Sequence, residues 1–407
     1  MRRLFKNNVK DLLPYILALW LIAGLIMGRA VLSIVSAMML LPVFFTQVNG
    51  KELKKLLLYI ACLLFPVAIS GFWSEHKDLW WQAFVVKLPL ITILIGFLSA
   101  DFTAKKIKQF IWAFNIVALL GCIWSLFQFV THKEAIIQSY LVAKVMPTIM
   151  DDDHIRFSWF VELSMILLGW QLYINSNKRE KMGGIAMILL LTAYLHFLAS
   201  KTGLLCFYTS ILLAVCYLLL QQNKRVIGLG LVVALLLIAF TAYEVFPTLH
   251  NRIQYVRYDF SNYTGGKFEN GSSDGARILS MKAGYQIALQ HPIRGVGFGD
   301  LKKYINEWHN SYHATSLAYE RFNPTNEWLI YAAASGWLGM LLFSIGLIAL
   351  LSMLSTKNIF SICLLASLLL PLITDDSLEG QYGVAVFSMV FSLGLSLQKQ
   401  SKSALSL

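Results

Sequence analysis

Polar and apolar residues sort along this chain into long blocks. Twelve apolar runs have roughly the length a helix needs to span a bilayer: residues 12–28, 31–48, 56–73, 79–100, 110–130, 159–174, 185–199, 203–220, 226–246, 328–351, 359–373 and 382–397. Between the ninth and tenth runs the polar stretch 247–326 interrupts the series. The pattern predicts an all-α integral membrane protein of about 12 transmembrane helices, with one large outer loop between helices 9 and 10. Residues 1–246 then hold helices 1–9, residues 247–326 form the loop with short helices, and residues 327–407 hold helices 10–12 and a tail.

Lysine and arginine orient the spans. Arg2, Arg3, Lys6 and Lys10 precede the first run, and every second connection is basic again: Lys51, Lys54 and Lys55; Lys105, Lys106 and Lys108; Lys178, Arg179 and Lys181; Lys224 and Arg225; Lys357; Lys399 and Lys402. The alternate connections carry Glu75 and Asp78, Asp151 to Asp153, and Asp375 with Asp376. Both termini are therefore expected in the cytoplasm and the stretch 247–326 on the outer side.

Composition agrees, with a mean hydropathy of +0.63 and only 14% charged residues. The net charge of +12 suggests no nucleic-acid partner, because 18 of the 34 basic residues sit in the cytoplasmic segments. All five cysteines fall inside expected spans, where they act as small apolar residues and form neither a disulfide framework nor a zinc spacing. The N-terminal run lacks a small-residue cleavage site and is read as a retained first helix.

Three ionisable groups lie where lipid is expected: Lys87, Glu162 and Lys201. A lysine near mid-membrane costs ~2.5–3.5 kcal/mol on insertion scales and needs compensation. One reading has both lysines snorkel outward while Glu162 pairs with one of them. The other is a cationic pocket at the outer leaflet, suited to a polyanionic lipid headgroup.

The outer stretch has its own order. His250 to Tyr258 mixes aromatic and basic residues, and Tyr263 to Gly275 reads as a flexible connection. A helix is expected to start at Asp274 as N-cap, pass through Arg277 and stop before Pro292. The run Arg294-Gly295-Val296-Gly297-Phe298-Gly299 has alternating glycines without a flanking strand, so it reads as a tight turn and not a dinucleotide site. His309 and His313 are spaced for a metal on a helix, but no third ligand stands at a fitting distance and no metal is assigned.

Gly275-Ala276-Arg277, then His291-Pro292-Ile293-Arg294-Gly295-Val296-Gly297-Phe298-Gly299, and finally Pro324-Thr325-Asn326-Glu327-Trp328-Leu329 with Gly336-Trp337-Leu338-Gly339, resemble the signature region of the O-antigen ligase and polymerase superfamily. The resemblance implies a multi-pass glycosyltransferase of the bacterial inner membrane with its active site on a large periplasmic loop. It implies a donor glycan on undecaprenyl diphosphate, an acceptor such as lipid A-core, contact with membrane lipids, inversion at the transferred sugar, and neither metal, cofactor nor nucleotide sugar.

Carried over residue by residue, the resemblance places Arg277 on the donor diphosphate and Gly275, Pro324, Thr325 and Asn326 in the motif. Lys201, Lys87 and Arg294 are further candidates for the diphosphate. Lys201 stands where the family commonly has arginine, so the charge is kept and the bidentate fork is lost. Thr325 stands where relatives usually have histidine, and a threonine hydroxyl cannot serve as a base near neutral pH. His309, His313 and Glu327 are the candidate replacements, and electrostatic stabilisation by Arg277 and Lys201 alone is the other way to carry the reaction. Polymerase, protein O-oligosaccharyltransferase and, in a different class, a polysaccharide or lipid transporter are the alternatives. No internal repeat of the kind common in transporters is visible.

The topology is testable by single cysteines at Ser272 and Ser401 in a cysteine-free background. In intact spheroplasts an impermeant thiol reagent should label position 272 and spare position 401. The reverse pattern would overturn the assignment.

Overall fold

A computed structural model describes residues 2–46, 50–100, 102–142, 144–174, 177–221, 225–264 and 272–405. Lys224 and most of the expected flexible connection, residues 265–271, lie outside the described residues. Among those described there is no strand; α1 (Arg2–Met27), α2 (Arg29–Met38), α3 (Gly50–Ser70), α4 (Lys77–Lys87), α5 (Pro89–Ser99) and α6 (Ala104–Thr131) come first. The short α7 (Lys133–Ser139) precedes α8 (His154–Ile174), α9 (Lys178–Leu198), α10 (Lys201–Leu220) and α11 (Arg225–Val245). The polar stretch forms α12 (Pro247–Thr264), α13 (Ser273–Gln290) and α14 (Leu301–Tyr312), and the chain ends with α15 (Glu327–Leu351), α16 (Ile359–Thr374) and α17 (Gln381–Leu405).

Helices are what a lipid environment demands, because hydrocarbon offers the backbone no other hydrogen-bond partner. Nine segments among the described residues are long and apolar enough to cross a membrane: Gly50–Ser70, Lys77–Ser99, Ala104–Thr131, His154–Ile174, Lys178–Leu198, Lys201–Leu220, Arg225–Val245, Glu327–Leu351 and Gln381–Ser401. Leu12–Met27, Arg29–Phe44 and Ile359–Thr374 are apolar but shorter. A count of twelve spans requires these three to cross as well.

The α13 N-cap is Ser272, not the expected Asp274. Ser272 Oγ accepts from the Gly275 amide at 2.9 Å, which leaves the Asp274 carboxylate for other work. The helix ends at Gln290, ahead of Pro292 as its sequence requires.

The alternating glycines then meet a break in α15. Gly336 has φ +74 and ψ 176, so the helical ladder is interrupted there. The freed carbonyls of Ala333 and Ala334 accept from the amides of Val296 (2.9 Å) and Gly297 (2.8 Å), and Trp337 N donates to Pro292 O (2.9 Å). Gly295 and Gly297 reach this contact at φ +65 and +94, and a Cβ at Gly295 would lie 2.3 Å from the Ala334 carbonyl carbon. The run is thus a turn docked on an opened helix. Its far end is anchored by Asp300, which accepts from the amides of Glu75 (2.7 Å) and His76 (3.1 Å) in the α3–α4 connection.

Gly295→Ala should therefore destabilise the protein by roughly 1–3 kcal/mol from backbone strain, and by more from the displaced turn. Gly183→Ala, in open space within α9, should be neutral or slightly stabilising. Thermal unfolding in detergent separates the two, and equal effects would refute the docking.

Candidate functional site at the start of α13

Two helices hold the first turn of α13. Lys201, at the start of α10, bonds the Asp274 carboxylate, with Nζ 2.6 Å from Oδ2. From α12, Tyr255 OH accepts from the Ser273 amide at 2.7 Å, and Asp259 accepts from the Asp274 amide at 2.9 Å and from the Ser272 hydroxyl. Arg252, three residues before Tyr255, lies with Cζ 5.6 Å from the Tyr255 ring centroid, and burial pushes its guanidinium below its ordinary pKa. Lys201, Arg252 and Arg277 are all within electrostatic reach of one another.

Arg277, one turn further along α13, points at the connection between α16 and α17. Its Nη1 donates to Thr374 O at 3.1 Å and its Nη2 stands 3.6 Å from Asp375 Oδ2, a buried oxygen with no hydrogen bond. The same short turn gathers four other side chains. Asn326 Nδ2 donates to Ile373 O at 2.9 Å while its Oδ1 caps α15 through Leu329 N at 3.0 Å. Glu327 accepts from the Leu378 amide, and Lys87 bonds Glu379. Arg156 of α8 spans Asp153 (2.7 Å) and Asp376 (3.1 Å). Burial and the adjacent Asp375 push the Asp376 carboxyl up to about 7 against the pull of Arg156.

The expected residues thus divide. Lys201, Arg277, Gly275, Asn326 and Glu327 come together around the start of α13 and the 374–380 turn. Pro324 packs where a Cβ at Gly284 would lie, and the Thr325 amide donates to Ser280 Oγ at 3.4 Å, which itself bonds Arg277 O at 2.8 Å. Lys87 neither snorkels nor faces the cationic cluster: it is fully buried beneath the turn, near the Phe298 and Tyr331 rings, and neutralised by Glu379. Glu162 pairs with neither lysine. Its Oε1 accepts from Ser210 (2.9 Å) and Ser367 (2.8 Å).

Arg294 is exposed beyond the other end of α13, about 20 Å of helix away from Arg277 at 1.5 Å per residue. His309 is buried, with Nδ1 on Ser316 Oγ at 2.9 Å, and burial with the nearby Arg321 pushes it down to about 4. His313 lies against the Trp308 ring at 5.6 Å. Ser316 and Trp308 belong to α14 and the segment after it, so both histidines engage their own loop. Among the described residues, Glu75, His76 and Asp300 have ligand atoms within 4.8 Å of one another. Asp300 is already held by two amides and His76 Nδ1, and Glu75 bonds Lys303 at 3.0 Å, which makes the group a lock between loops.

Sequence reading missed Arg156, Arg252 and the roles of Asp375 and Glu379. Arg156 opens an otherwise apolar run and Asp375 looked like a topology marker, so neither carried a spacing signal.

Comparison with known proteins bears on this same region. Residues 185–344 match the family model described as O-antigen ligase, a segment that begins in α9, ends in α15 and contains Lys201, Arg252, Arg277, Asn326 and Glu327. No curated protein matches the chain. The matched segment supplies the α13 cluster and the motif of α15, and over those residues this multi-pass membrane protein is similar to the O-antigen ligase family.

Proposed function

We propose that the protein transfers a glycan from undecaprenyl diphosphate to a sugar hydroxyl of lipid A-core at the periplasmic face of the bacterial inner membrane. The observation that carries this reading is the convergence of Lys201 and Arg277 at the N-terminal turn of α13, inside the family-matched segment and beside the Asp375 carboxylate. A helix N-terminus and two cations suit a diphosphate. All twelve apolar segments cross the membrane in this reading, with both termini cytoplasmic.

In the reaction the acceptor hydroxyl oxygen bonds to the anomeric carbon. The bond from that carbon to the diphosphate oxygen breaks, and its electron pair leaves with the diphosphate. Arg277 and Lys201 stabilise the charge that develops there. The hydroxyl proton goes to a carboxylate. We assign that role to Asp375, whose Oδ2 stands 3.6 Å from Arg277 Nη2. Glu327 and Asp375 each accept one backbone amide, from Leu378 and Asp376, but Asp375 is the one paired with Arg277, and His309 is enclosed within its own loop. A single displacement of this kind inverts the anomeric centre.

Arg277→Ala should abolish transfer in membranes with matched protein levels, and Arg277→Lys should rescue poorly because a fork becomes a point charge. Asp375→Asn should cost on the order of 10²-fold or more, the usual scale for acid–base loss, whereas Thr325→Val and His309→Ala keep substantial activity. Wild-type transfer by Arg277→Ala would refute the proposed site. Gel analysis of lipopolysaccharide from a deletion strain tests the acceptor: loss of all long chains from lipid A-core is expected, and retention of a single repeat would identify a polymerase.

A further inference from the structure

We propose that Arg156 is a positioning residue for Asp375, fixing the turn between α16 and α17 so that the Asp375 carboxylate faces Arg277. This rests on the assignment of Asp375 as proton acceptor above and adds a residue that lies outside both the motif and the family match.

Arg156 stands in the first turn of α8, 220 residues before the aspartate it binds. Its guanidinium is shared between two elements. Nη1 donates to Asp153 Oδ2 at 2.7 Å while Asp153 Oδ1 accepts from the Arg156 amide at 3.0 Å, which ties the side chain to the start of its own helix. Nη2 donates to the Asp376 carbonyl at 2.6 Å and to Asp376 Oδ1 at 3.1 Å, and Nε is 3.5 Å from the Ser377 carbonyl. The group lies against the glycines at the start of α17, where a Cβ at Gly380 or at Gly383 would stand 3.2 Å from Nε. Such a slot suits a planar fork, which a lysine does not reproduce.

Asp375 is the next residue back along the chain. The Asp376 amide donates to Asp375 Oδ1 at 2.9 Å, and Oδ2 is the oxygen 3.6 Å from Arg277 Nη2. The residue that Arg156 grips by its carbonyl is thus the one whose amide orients the Asp375 carboxylate. On the other side Asn326 and Arg277 bond the Ile373 and Thr374 carbonyls, so the turn is clamped between α8 and the α13–α15 pair. Charge acts in the same sense. Asp375 and Asp376 are adjacent carboxylates, and each has its own guanidinium, Arg277 for one and Arg156 for the other. Without Arg156 both would compete for Arg277. The oxygen that takes the proton would then be displaced, and a misplacement of ~1 Å at a reacting group costs about 10²-fold.

The test is a double-mutant cycle, read as the transfer rate of the full-length protein in membranes with matched protein levels, with donor and acceptor KM measured alongside. Arg156→Gln should lower kcat by about 10- to 100-fold and leave both KM values unchanged. In the Asp375→Asn background the same substitution should cost nothing further, because it acts through Asp375. Arg156→Lys, which keeps a charge for Asp376 and loses the fork, should fall between Arg156→Gln and wild type. Thermal unfolding in detergent reports whether each variant folds; if Arg156→Gln does not, Arg156→Lys carries the cycle. A merely structural role would lower the rate by the same factor in both backgrounds. That result, or wild-type kcat in a folded Arg156 variant, would overturn the inference and leave the functional reading standing. Wild-type transfer by Asp375→Asn would instead remove Asp375 as proton acceptor, and the role of Arg156 with it.

Discussion

Charge taken out of water has to be neutralised locally, and in this protein the turn between α16 and α17 gathers three such neutralisations. Asp375, Asp376 and Glu379 project from a few consecutive residues and meet Arg277, Arg156 and Lys87, which arrive from α13, α8 and α4. Asn326 and Glu327 take up the backbone of the same turn. The net worth of a buried ion pair is small, yet removal of one partner costs about 3–5 kcal/mol because the other charge is stranded. Such pairs therefore specify which elements meet more than they add stability. Here they tie the start of α13 and the start of α15 to one turn.

A second constraint works through the backbone alone. Opening α15 at Gly336 exposes carbonyls that must find donors, and the glycine turn supplies them. Only residues without Cβ can approach that closely at positive φ. The turn in turn carries Phe298 onto Tyr331 and Asp300 onto the α3–α4 connection, so the polar stretch is anchored at both ends of α13. This anchoring fixes α13, whose first turn is bonded to Lys201 through Asp274 and whose Arg277 reaches Asp375.

Thr325 illustrates how position and chemistry separate. Its amide bonds Ser280 within the α13–α15 contact and its neighbour Pro324 packs on Gly284, so the motif keeps a structural part while its hydroxyl lacks basicity. The carboxylate that faces Arg277 comes from the far end of the chain, 98 residues on from Arg277 itself.

What the amino-acid sequence determined by itself was whatever is periodic or local. The apolar blocks specify helices, since transfer to lipid depends on composition over one segment. The glycine turn, the end of α13 ahead of Pro292 and the motif around Arg277 were equally legible, because each rests on a few adjacent residues. Tertiary structure alone decided the pairings. Lys87 could have answered to Glu162 by hydropathy, but it answers to Glu379, 292 residues away, while Glu162 meets two serines. Ser272 displaced Asp274 as the cap because Lys201 claims the aspartate, and Arg294 left the cluster because α13 stands between it and Arg277. Charges act over distance in space, and sequence carries no measure of that distance until the helices have packed.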